Sequence, residues 1–521
     1  MATPPKMSRP PTPPMSPRPE QQNGYHLQPP VRPVPLPYTQ ASIMPLIVHP
    51  SRPQSGPVQE KGRVMILCFD GTGNKFGENS NVVRFFRALS KDKRKEQIVY
   101  YQPGIGTYNK RAFITHTMNT LSSALDSAIA RHLDDHVKDG YKFIIQNYRP
   151  GDKICLFGFS RGAHTARVVA GMLYKVGVLP KENIQQVDFA FNIYMTTGYQ
   201  GYKLSKEFKE TFASPADIEF VGVWDTVSSV GIIPQMHPYT SINYAVKHFR
   251  HALALDERRA RFRPNVWSEL TLEREQELDV DVPVPKDIGD VDRDTWQYEP
   301  PERNHADIKE VWFAGCHADV GGGSHSTRRN TSLSYIPLRW MIMECILAKT
   351  GIQFDLEYLK ESLDFDFQDL LTEMGKKNIK LEELGENYQE IDKYAPRSSV
   401  QEPTLKTADN VSSTSHPEVQ SHGTGRHFRD ILDLIFDQLV RVWWFWWILE
   451  FIPMLSTYQD PQGNWIRRRM RNFGRGRYIP FYKNRILVHN SVKLRIDKCG
   501  YKPKAQNWKT VKDSPMLQYV D

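Results

Sequence analysis

Cysteine is scarce in this sequence. Five occur among 521 residues, at positions 68, 155, 316, 345 and 499, and no two form a CxxC pair. That excludes a disulfide framework. Several lie in apolar runs, as buried thiols do in a reducing compartment, so a cytoplasmic location is expected. The N-terminus, MATPPKMSRPPTPP, has no apolar stretch of signal-peptide type, and no secretory signal is expected. Long hydrophobic runs are missing too. The most apolar segment, 431–455, contains an uncharged stretch of only eight residues, Val442–Leu449. A membrane-spanning helix needs about 20, so none is expected. No GK[ST] phosphate loop occurs, and no internal repeat is visible.

What is present is enough apolar material for a substantial core: 40% of residues are hydrophobic and 24% charged. The formal charge of +9 is unevenly spread. From Pro461 to the end there are 15 Lys/Arg against three Asp/Glu, a net +12, which leaves about −3 for the remainder. Residues 1–60 hold 17 of the 37 prolines and read as a disordered arm, whose PPTPP and PVPLP stretches could also dock a proline-reading domain. A catalytic domain is expected over 61–395, with a polar surface insertion at 268–305. A disordered linker over 396–426 follows, and then a Trp-rich, basic segment over 427–521 that packs on the domain.

Buried strands are read at Arg63–Asp70, Lys153–Phe159, Ile218–Trp224 and Glu310–Ala314, with a shorter one at Ile98–Tyr101. Helical periods occupy Asn81–Leu89, Met118–Val137, Tyr141–Tyr148, Arg161–Lys175 and Leu338–Leu347. Strands alternating with helices indicate an α/β domain with a mostly parallel sheet and helices on both faces.

Gly158-Phe159-Ser160-Arg161-Gly162 is G-x-S-x-G, directly after an apolar strand and directly before a helix. That context suits a nucleophile elbow, in which a serine sits on a sharp turn above the sheet and the glycines avoid collisions. The plainer reading makes Ser160 the cap of the next helix. A serine nucleophile needs a base, and the base needs an orienting carboxylate. Asp225 ends the strand EFVGVW and is the candidate acid. His317 follows EVWFAGC and precedes a glycine-rich turn, and is the leading candidate base. His489, in RILVHNSVKLRI, is its rival, whereas His164, His248 and His251 read as structural. An oxyanion hole requires two backbone N–H groups. Arg161 is expected to supply one, and the loop at Gly71 and Thr72 the other. Gly71, Gly73 and Gly77 are spaced one residue too long for a dinucleotide fingerprint. Asp70 reads as holding this loop; with no cluster of ligands around it, neither a metal nor another cofactor is expected.

FDGTGN, GFSRGA, GVWDTV and FAGCHADVGGG occur in this order between Asp70 and Gly323. Together they resemble the type VI secretion phospholipase effector-like catalytic domain, a family of α/β hydrolases. The resemblance implies an α/β-hydrolase fold, a Ser160–Asp225–His317 triad and hydrolysis of carboxylic esters, with phospholipid the best-known substrate class. The proline-rich arm and the Trp-rich C-terminal part depart from the bacterial members.

Five of 11 tryptophans fall between 443 and 465. Asp433, Asp437 and Arg441 recur every fourth residue, which reads as one polar stripe on a helix spanning 431–455. Arg467, Arg468, Arg469, Arg471, Arg475 and Arg477 follow. Tryptophan beside arginine suits a peripheral membrane surface over 431–477. The alternative is a packed core or lid helix beside a solvated basic surface. No nucleic-acid partner is expected, since no binding motif accompanies the arginines. The sequence thus points to a serine esterase acting on a lipid or other ester. A non-catalytic, membrane-associated or scaffold protein of the same fold is the alternative.

Overall fold

The structure is a computed structural model. It describes residues 62–71, 79–92, 95–104, 121–227, 237–267, 306–323, 331–384, 388–389, 391–393, 424–441, 443–459, 465–480 and 485–521. The proline-rich arm and the 268–305 insertion lie outside the described residues. So does the expected linker, except that 424–426 begin a helix, Thr424–Leu432.

Among the described residues ten strands run in chain order: β1 Val64–Phe69, β2 Gln97–Gln102, β3 Lys153–Phe159, β4 Ile218–Trp224, β5 Val246–Ala254, β6 Asp307–Phe313, β7 Met454–Gln459, β8 Trp465–Met470, β9 Ile486–His489 and β10 Leu517–Val520. Eight form one sheet, ordered β10-β9-β6-β5-β4-β3-β1-β2, and every pairing within it is parallel. Apolar side chains alternate between its faces. Val64, Ile66 and Cys68 pack with Phe85, Phe157, Trp224 and the helix Tyr335–Leu347. Met65, Leu67 and Phe69 pack with the helices Leu121–Asn147 and Arg161–Val176. Both faces are therefore dry, which is why β1, β3 and β4 read as unbroken apolar runs. Four cysteines are buried and Cys499 is exposed.

β5 went unread because polar residues interrupt it. The fold pairs each of them: Lys247 with Glu219 at 3.2 Å, His248 with Asp307 at 3.1 Å, Arg250 with Glu344 and Asp307 at 2.5 Å each, and His251 with Glu310 at 2.8 Å. The C-terminal segment does more than pack on the sheet, because β9 and β10 extend it beyond β6.

The single amphipathic helix expected over 431–455 is not formed. Helices occupy Thr424–Leu432, Gln438–Arg441 and Trp443–Phe451, and β7 then pairs antiparallel with β8. The chain leaves the helical path at Asp433–Asp437. Asp437 turns inward, accepting from Arg258 at 2.6 Å and Lys504 at 2.8 Å. The apparent polar stripe is thus no helix face. Among the described residues no helix is long and apolar enough to cross a membrane.

Candidate active site

The candidate residues gather where β1, β3, β4 and β6 end, at the carboxyl edge of the sheet, where open parallel sheets build their sites. β3 ends at Phe159 and the helix begins at Arg161, so Ser160 makes the whole turn alone. Its backbone has φ 59° and ψ −119°, a conformation that L-residues rarely adopt. Its side chain makes no capping bond to the helix, which disfavours the cap reading. The flanking glycines make the turn sterically feasible. A Cβ on Gly158 would stand 2.4 Å from the Gly162 carbonyl oxygen, and one on Gly162 would stand 2.2 Å from that of Phe69.

Asp225 follows β4 with φ 44° and is wholly buried. His317 follows β6 across the turn Ala314–Cys316 and starts the short helix His317–Gly321. His317 Nδ1 donates to Asp225 Oδ2 at 2.5 Å. That leaves Nε2 to accept from the Ser160 hydroxyl at 2.9 Å. The ring is held between Phe159 and Phe262, with centroids at 4.7 and 4.8 Å. Burial lowers the His317 pKa, and Asp225 only partly offsets this, so the imidazole is neutral at physiological pH. Burial alone would raise Asp225, but Arg477 and His317 outweigh it and hold the carboxyl well below the usual range. A neutral imidazole bonded to a hydroxyl on one side and a carboxylate on the other can accept the hydroxyl proton.

The rival histidine is placed elsewhere. His489 ends β9 and caps the helix Asn490–Cys499, its Nδ1 accepting from Ser491 N at 3.1 Å. It stacks on Phe313, and burial lowers its pKa to about 3. His164 meets His237 at 3.1 Å, His248 bonds Asp307, and His251 bonds Glu310 and accepts from Thr226 N.

For an oxyanion, the Arg161 N–H is the first of its helix and has no hydrogen-bond partner among the described residues. Gly71 differs from expectation. Its N–H donates to Asp70 Oδ1 at 2.6 Å, which leaves that amide committed in this arrangement. Asp70 also accepts from the Tyr101 hydroxyl at 2.8 Å, consistent with holding the loop. Thr72 lies outside the described residues. The Arg161 side chain, half-buried, forms no ion pair among the described residues, and desolvation lowers its pKa to about 10. Among the described residues no group of three His, Cys, Asp or Glu could hold a metal.

Two elements of the site were not anticipated. Glu257 accepts from the His317 backbone N–H at 3.2 Å and pairs with Arg259 at 2.8 Å. Arg477, counted above among membrane-facing arginines, is instead buried, with Nη1 2.5 Å from Asp225 Oδ1 and Nη2 2.8 Å from Asp225 Oδ2. Nothing local marks it, since it is one of six arginines in 11 residues.

The parallel sheet, the serine turn after β3 and the acid and histidine after later strands define an α/β-hydrolase-like protein. Residues 63–344 match the family described as T6SS, phospholipase effector Tle1-like, catalytic domain, and the chain belongs to that family. It is 28% identical over 553 aligned positions to an uncharacterized protein of Saccharomyces cerevisiae, YEL023C, covering 84% of this chain and 79% of that one. Among solved structures it is similar to an uncharacterized protein from Pseudomonas aeruginosa (18% identity, TM-score 0.30, 56% of this chain and 47% of that one). It is also similar to the Tle1 effector bound to the VgrG spike of the type 6 secretion system (18% identity, TM-score 0.26, 51% and 52%). The chain spans about half the length of these two solved relatives. Family membership implies a hydrolase of the phospholipase class.

Proposed function

We propose that the protein is a serine hydrolase that cleaves acyl esters of lipids, with phospholipids as the favoured substrates. Ser160 attacks the ester carbonyl carbon while His317 Nε2 takes its proton. Asp225 holds the imidazole by Nδ1 and stabilises its cationic form. The Arg161 N–H donates to the developing oxyanion. The protonated His317 then gives its proton to the departing alcohol. Water, deprotonated by the same imidazole, attacks the acyl carbon and releases the fatty acid and Ser160.

The observation carrying this reading is the unbroken hydrogen-bond chain Ser160–His317–Asp225, at 2.9 and 2.5 Å, ending on a strained turn. Family membership supports the lipid class. The Arg161 guanidinium, which forms no ion pair among the described residues and stands beside the nucleophile in sequence, suits a substrate that brings a phosphate.

The same proposal includes contact with an anionic membrane surface, narrowed from 431–477 to one patch. Ile448, Phe451, Ile452 and Phe473 are exposed, and Phe451 and Phe473 meet with ring centroids 5.5 Å apart. Arg468, Arg469, Arg471 and Arg475 are exposed on the adjoining β8 and the loop after it. Apolar side chains bordered by arginines match an interface of acyl chains and anionic headgroups.

The test is hydrolysis of p-nitrophenyl esters and of a phospholipid panel by wild type, Ser160→Ala, His317→Ala and His489→Ala. Loss of activity in the first two with retention in the third is expected. Retained turnover in Ser160→Ala, or loss confined to His489→Ala, would overturn the assignment. Vesicle binding without Ser160-dependent turnover would favour the non-catalytic alternative.

A further inference from the structure

Arg477 lies far outside the matched region 63–344, on the segment joining β8 to β9. We propose that it is a positioning residue for the candidate triad, its guanidinium fork fixing the plane of the Asp225 carboxylate so that Oδ2 meets His317. The proposal rests on the triad reading above.

The geometry is specific. Arg477 spans both Asp225 oxygens, at 2.5 and 2.8 Å. The guanidinium is itself held by backbone carbonyls. Nε and Nη2 donate to Phe262 O at 3.0 and 2.6 Å, and Nη1 donates to Ala254 O at 3.2 Å. Asp225 Oδ1 accepts one further bond, from Ala254 N at 3.0 Å, and Oδ2 accepts from His317. Without Arg477 a buried carboxylate would keep two donors for two oxygens and could rotate about its side-chain torsions. A planar two-pronged donor removes that freedom, and an ammonium cannot do the same.

Arg477 also sets charge. His317 faces Asp225 and Glu257, which favour its cation, and Arg259, which opposes it. Asp225 also faces His251, whose Nε2 accepts from Thr226 N. Arg477 faces Asp225, Glu257 and Arg263. Its cation offsets part of the negative charge that would hold a proton on the imidazole. Removing that cation leaves Asp225 and Glu257 less compensated, so His317 should keep its proton to higher pH. The acid limb of kcat/KM should then move up.

The experiment is the pH dependence of kcat/KM on a soluble p-nitrophenyl ester, with the full-length chain, for wild type, Arg477→Met and Arg477→Lys. Thermal unfolding is recorded for each. For Arg477→Met the expected result is an acid limb about one pH unit higher and a plateau at least about tenfold lower. Arg477→Lys keeps the charge and loses the fork, so its limb stays within a few tenths of wild type while its plateau falls. A folded Arg477→Met whose limb does not move would overturn the proposal. So would an Arg477→Lys with a wild-type plateau, and this second variant carries the test if the methionine form does not fold. Failure of the triad reading looks different, because Ser160→Ala would then be as active as wild type.

Discussion

At the residue scale, the elbow depends on what is missing at position 162. Alanine in place of glycine in a helix ordinarily gains about 1 kcal/mol. Here the added Cβ would lie 2.2 Å from the Phe69 carbonyl oxygen and 2.5 Å from that of Asp70. Backbone cannot yield cheaply, so Gly162→Ala is expected to destabilise the fold by about 1–3 kcal/mol, read by urea unfolding. A gain in stability would mean that the turn is looser than described. Ser160, Asp225 and His317 could be singled out as candidates because each follows an apolar strand, Ser160 with a helix directly after it and His317 with a glycine-rich turn. Arg477 was not, because its partner lies 252 positions away in sequence. A cluster of like charges does not announce which member turns inward. The His317 shift has a kinetic consequence. Burial lowers its pKa below an ordinary histidine's, so its base form persists to lower pH, and the acid limb of wild-type kcat/KM should fall below about 6.5.

At the scale of elements, the Trp-rich helix Trp443–Phe451 is best understood through Glu450, which is fully buried. Its Oε1 accepts from Ala260 N at 2.6 Å. Its Oε2 accepts from Asn472 Nδ2 at 2.5 Å and Gly474 N at 2.9 Å. One carboxylate therefore pins the loop that leads to Arg477 against the loop that carries Arg259. Glu450→Ala should leave the Ala260 and Gly474 amides unsatisfied, at a cost of about 1–3 kcal/mol for each one left without water, whereas Asn472 Nδ2 keeps the carbonyls of Arg258 and Arg475. Hydrogen exchange at the amides of Ala260 and Gly474 should accelerate accordingly. Unchanged exchange there would argue against this role. Aromatic density and charge spacing suggested one continuous helix, but the periodicity does not reveal that Asp437 is drawn inward by Arg258 and Lys504. β9 and β10 were similarly hidden, because four-residue strands are too short to carry a pattern. β1, β3 and β4 could be read because a sheet covered on both faces demands apolar residues at nearly every position, whereas β6 carries such a run only at its buried end, Val311, Trp312 and Phe313.

At the scale of the molecule, the segment 465–480 joins two surfaces. It bears exposed arginines at 468, 469, 471 and 475, and two residues later buries Arg477 against Asp225. Basic residues near anionic lipid contribute roughly 1 kcal/mol each. Replacing the four exposed arginines with alanine should therefore weaken cosedimentation with phosphatidylserine vesicles by about two to three orders of magnitude, while hydrolysis of a soluble ester is unchanged. Equal vesicle binding would remove the membrane reading and leave the active-site reading intact. The net charge pointed to this tail, but only the fold separates its exposed arginines from the buried one. The proposed mechanism depends on a Ser160 hydroxyl activated by His317. The most direct measurement is covalent labelling of the full-length protein by a fluorophosphonate, with the modified residue mapped by mass spectrometry and the rate compared in His317→Ala. Labelling at Ser160 that nearly vanishes in His317→Ala is the predicted result. Labelling at another serine, or at Ser160 with an undiminished rate in His317→Ala, would contradict it.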